Sequence, residues 1–158
     1  MPVQTRPVQT LPAQSLLAAP SQRLWMERQA WFQRRLDDTR GEMPAAIGEQ
    51  AEALLVDLQL SFCAGAWVAV VILAQTVLDA DLADRAAAQE GGAGGGDGLA
   101  LNDIRFGRDY VWLRNRRNDL VHEEGRTALT IRDQTQDRTR LEAEARRAVE
   151  LLFKALKG

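Results

Sequence analysis

The chain has one cysteine and one histidine in 158 residues, and no long apolar run. A lone Cys63 cannot close an internal disulfide. Set in an apolar stretch, it reads as a small buried hydrophobe in a reducing compartment, with the cytoplasm as the expected location. His122 has no second histidine and no cysteine pair to complete a metal-binding set. Glu123 and Glu124 beside it point apart on a helix and read as a solvated turn, so no metal or cofactor is expected. The most apolar window, "SFCAGAWVAVVILA" (Ser61–Ala74), falls short of the ~20 residues a bilayer span requires, which excludes a membrane role and points to a buried helix.

Proline is scarce except at the start, where "MPVQTRPVQTLPAQSLLAAP" holds four of the five. That density excludes a charged-then-apolar leader and makes residues 1–20 a disordered tail. Glycine gathers in "EGGAGGGDG" (Glu90–Gly98), which has neither the lysine nor the Ser/Thr of a phosphate-binding loop and no strand before it. It reads as a flexible linker.

A net charge of −2 gives no hint of an anionic partner, but its distribution does. Residues 1–100 carry 7 basic against 12 acidic side chains, and residues 101–158 carry 13 against 10. An anion-binding surface is therefore expected in the C-terminal third.

Apolar periodicity indicates an all-α fold, an antiparallel bundle of four to five helices, with residues 21–158 as a single domain. Ser21 is placed to cap a first helix to about Asp38, stopped by Gly41, with Arg28, Arg34 and Arg35 on its wet side. Pro44 to Ala88 reads as two helices meeting near Ser61–Gly65, or as one bent helix. The second half is apolar nearly all round and should be central, with Gln75, Thr76 and Asp79 as polar exceptions on one side. A helix from about Asn102 or Asp109 to His122 follows, stopped by Gly125. "RTALTIRDQTQDR" is then a polar connection to a last helix from Arg138 to Leu156.

The helix ending "YVWLRNRRNDLVHEEG" carries the chemistry. On a helical wheel Tyr110, Leu113, Leu120 and Val121 form one apolar face, and Arg117 falls inside it. A guanidinium there needs a carboxylate, a carbonyl or a bound anion, and Asp79 is a candidate partner. Asn118 and His122 stack at i and i+4. Arginine, amide and imidazole together are suited to holding a phosphate and moving a proton. Trp112 reads as a packing residue.

"RNDLVH", with Arg117, Asn118 and His122, resembles the Arg-polar-x-x-x-His signature of the HEPN superfamily, small all-helical domains that include many metal-independent ribonucleases. The surrounding "LRNRRNDLVHEEG", the small-residue-rich "CAGAWVAVVILAQTVLDADL" and the final "EAEARRAVELLFKAL" are similar to helices of its bacterial members. The resemblance implies a homodimer whose two motif helices meet across a cleft and cut RNA to 2′,3′-cyclic phosphate and 5′-hydroxyl ends. Arg117 would hold the scissile phosphate, Asn118 would orient the arginine or the phosphate, and His122 would transfer the proton. Arg114 and Arg116 would follow the RNA backbone, with Asp79 in support. A toxin or defence effector with an antitoxin partner is the role so implied; the alternative is a non-catalytic module that binds RNA, a nucleotide or a partner protein.

Overall fold

The computed structural model describes residues 17–90, 101–122 and 125–158, with the backbone alone at 90 and 101–106. Most of the expected tail, most of the glycine-rich linker, and Glu123 and Glu124 lie outside the described residues. Among the described residues there are six helices and no strand: α1 (Gln22–Glu42), α2 (Glu49–Ala64), α3 (Trp67–Glu90), α4 (Leu101–Val121), α5 (Ile131–Gln136) and α6 (Arg138–Lys157). None is long and apolar enough to cross a membrane.

Local chemistry sets the boundaries. Ser21 caps α1 by accepting the Leu24 N–H at 3.2 Å. The helix runs through Gly41 and ends where Met43 turns extended, because Pro44 disfavours helical geometry in the residue before it. The α2–α3 break lies at Gly65, whose φ of +76° is left-handed and open to glycine at little strain. Gly65 and Ala66 donate to the Phe62 and Ser61 carbonyls, and α3 starts directly afterwards. In α4 the helical path is interrupted at Gly107.

The polar connection contains a further helix. Thr130 accepts from the Asp133 N–H, and the Asp133 carboxylate accepts from the Thr130 N–H, a reciprocal cap that starts α5.

Paired contacts give the helix directions. Arg28, Gln33 and Arg40 of α1 bond Cys63, Gln59 and Glu52 of α2 in reverse order. Gly48 at the start of α2 lies against Asp84 late in α3. Asp109 and Arg116 of α4 meet Arg147 and Glu144 of α6, again in reverse. Arg35 and Glu42 of α1 meet Glu150 and Lys157 of α6 in the same order. The five long helices therefore run up, down, up, down, up.

Helix α3 packs against α2, α4 and α6, which is why it is apolar nearly all round, and α1 packs against α2 and α6. Phe32, Leu58, Phe62, Leu78, Leu113, Leu152 and Leu156 are fully buried. Trp31 stacks on Phe62 at 4.9 Å, and Phe153 meets Phe32 edge-on at 5.3 Å. Cys63 is buried, and burial raises its thiol pKa.

Arg28 departs from the wet side assigned to it. It donates to the Cys63 carbonyl at 3.1 Å and lies 4.7 Å from the Trp67 ring centroid. Arg138 donates to the Gly65 carbonyl at 2.6 Å, so two guanidinium groups satisfy carbonyls at the negative end of α2.

Candidate functional site

The last two turns of α4 and the segment after Gly125 enclose a polar cleft of about 860 Å³. Asn115, Asn118 and Asp119 line it from α4 and His122 from the residue directly after it, at the spacing that brings side chains onto one stripe of a helix. Arg116, Arg126, Thr127 and Ala128 complete it. The His122 N–H donates to the Asn118 carbonyl at 2.9 Å, so helical geometry extends to the imidazole-bearing residue and keeps the stripe in register.

Arg117 stands elsewhere. Five residues along a helix is a rotation of about 140° from His122, and Arg117 does not line the cleft. Its Nη2 lies 3.4 Å from Asp79 Oδ2 on α3, with the arginine side chain 26% and the aspartate 49% exposed. Gln75, buried one turn before Asp79, donates its Nε2 to Asp79 Oδ1 at 2.8 Å. The Arg117 Nε and Gln75 Oε1 are buried without a hydrogen-bond partner. Buried Tyr110 is close by. Burial first, then the Asp79 and Asp81 charges, push its phenol pKa well above the ordinary value. The polar residues of α4 thus form two groups: an arginine facing α3 and an imidazole facing the cleft.

Arg116 borders the cleft, but the fold already uses its charge. Its Nε meets Glu144 Oε2 of α6 at 3.0 Å and its Nη1 donates to the Ala128 carbonyl at 3.2 Å, with the side chain only 13% exposed. It is placed to anchor the segment that closes the cleft. Arg114 is exposed on α4 outside the cleft lining. Val121, assigned to the apolar face, is 44% exposed at the last residue of the helix. Trp112 is half-buried beneath the Arg147 guanidinium, 4.0 Å from its ring centroid.

Asn115, Asp119 and Arg126 belong to the cleft without having been singled out in the sequence. The first two were legible in the stripe Asn115, Asn118, Asp119, His122. Arg126 was not, because its approach depends on a turn at Gly125, where φ is +72°. The cleft presents an imidazole, two amides, a carboxylate and two guanidinium groups, a set that can hold an anionic group and transfer a proton. Among the described residues no three His, Cys, Asp or Glu side chains gather at one point. Set against known proteins, the chain matches no family model, no curated protein and no solved structure.

Proposed function

We propose that the chain is a metal-independent endoribonuclease of the HEPN kind that cuts RNA by transesterification. The observation that carries the proposal is the position of His122: the only imidazole in the chain lines a polar cleft, one helical turn from Asn118. In the reaction a 2′-hydroxyl loses its proton and attacks the adjacent phosphorus. The 5′-oxygen leaves with a proton, giving a 2′,3′-cyclic phosphate and a 5′-hydroxyl. His122 serves proton transfer and Asn118 orients the phosphate. One histidine per chain and two proton transfers per turnover favour a homodimer with paired clefts. A toxin or defence role in the cytoplasm, restrained by an antitoxin protein, belongs to the same proposal.

The resemblance assigns the scissile phosphate to Arg117, which would first have to leave Asp79. That engagement, on the side of α4 away from His122, favours a second reading, in which the cleft binds RNA or a nucleotide without cutting it.

The test is incubation of end-labelled single-stranded RNA with the protein in EDTA, beside His122→Ala. Cyclic-phosphate ends made by the wild type alone are the expected result. Equal cleavage by both proteins defeats the assignment of His122, and binding without cleavage selects the second reading.

A further inference from the structure

We infer that Arg126 is the phosphate-holding cation of the cleft, a position that no sequence motif marks. The inference rests on the proposal that the cleft takes an RNA phosphate. It follows from where each positive charge around the end of α4 is engaged. Arg116 is held by Glu144 and the Ala128 carbonyl, and Arg117 by Asp79. Arg114 lies outside the cleft lining. Arg126 lines the cleft, is exposed, and makes no ion pair or hydrogen bond among the described residues.

Its position is set rather than incidental. Gly125 is left-handed, and two residues beyond Arg126 the Ala128 carbonyl is fixed against α4 by Arg116, itself held by Glu144 on α6. A guanidinium on a segment anchored this way presents a planar fork of donors, which matches two oxygens of a phosphodiester. The Asn115 and Asn118 amides can supply further donors, while His122 stands at the same opening for the proton. The Asp119 carboxylate, also in the cleft lining, opposes an anion. Arg126 is the charge that offsets it.

The experiment is a salt titration of single-stranded RNA binding, with His122→Ala as the parent so that the RNA stays whole. Adding Arg126→Gln is expected to weaken binding about tenfold and to make the slope of log K against log salt shallower by ~0.7, one phosphate contact fewer. Arg132→Gln, which removes an exposed charge on α5 outside the cleft lining, is the control and should stay near the parent in both. Asp119→Asn should bind more tightly than the parent.

Unchanged affinity and slope in Arg126→Gln, against a parent that binds RNA, overturns the inference and leaves the proposed function standing. RNA bound through Arg126 but never cut by the wild type upholds the inference and defeats the nuclease. A parent that binds no RNA at any salt overturns both.

Discussion

Arg116 and Glu144 form an ion pair that joins α4 to α6, and the same guanidinium holds the Ala128 carbonyl of the returning segment. Both side chains are mostly buried, and Glu144 also meets Arg140 at 3.2 Å, so it is removal of the Glu144 charge that strands a buried partner, Arg116. Glu144→Gln is expected to lower stability by ~2 kcal/mol. Thermal denaturation should show it as a fall of several degrees. The paired change Arg116→Met with Glu144→Leu should recover much of the loss, because no lone buried charge remains. A double variant less stable than Glu144→Gln would contradict this.

The Arg117–Asp79 pair should contribute less, because solvent reaches half of the aspartate. Screening limits such a pair to under ~1 kcal/mol, and Arg117→Met keeps the apolar stem while removing a buried nitrogen with no partner. Urea denaturation of Arg117→Met is expected to stay close to wild type. A loss of several kcal/mol would show that Arg117 maintains the fold, and would make RNA assays on Arg117 variants ambiguous.

Gly65→Ala tests the α2–α3 turn. A Cβ there would meet Arg28 Nη1 at 3.0 Å, on a backbone whose φ of +76° an L side chain adopts with strain. The expected cost is ~1–2 kcal/mol. Melting should detect it, and Gly41→Ala, where a Cβ meets nothing within 4 Å, is the contrast that should be neutral or stabilising.

Two aspartates are expected to move stability with pH in opposite directions. Burial raises the Asp81 carboxyl pKa, an effect that the neighbouring Arg85 opposes. Folded Asp81 therefore binds its proton more tightly than the unfolded chain does. Its stabilising contribution is present below the unfolded pKa and is lost as pH rises through the folded one. Asp133 is the reverse. Hydrogen bonds from the Thr130 backbone and hydroxyl lower its pKa, so its contribution is present above the unfolded pKa and is lost as pH falls through the folded one. Asp81→Asn should match or exceed wild type at neutral pH and lose part of the relative gain on acidification. Asp133→Asn should be less stable than wild type at neutral pH, with the difference narrowing in acid. Melting curves at about pH 7 and about pH 4 decide both.

The helices were legible because apolar residues recur at helical spacing and the first half of α3 is apolar nearly all round. Gly65 marked a break because only its backbone turns left-handed between two long helices. Gly41 did not, since α1 passes through it and the following Pro44 ends the helix instead. The site was legible only in part. Asn118 and His122 share a stripe because four residues make about one turn, while Arg117 belongs to the α3-facing side despite its place in the motif. Arg126 joins through a turn and a carbonyl contact 12 residues apart in sequence, between Arg116 and Ala128, and periodicity carries no record of either.

Helix α6 contacts α1, α3 and α4, and through Glu144 it holds the arginine that fixes the cleft's outer wall. His122 is therefore translated before the Glu144 side chain that anchors the cleft's outer wall. Until Glu144 has emerged, Arg116 and the Ala128 carbonyl it holds lack their tie to α6, although Arg117 can already meet Asp79 on α3. A message cut short before residue 144 would yield a protein that carries the whole motif and every residue lining the cleft, without the carboxylate that anchors its outer wall.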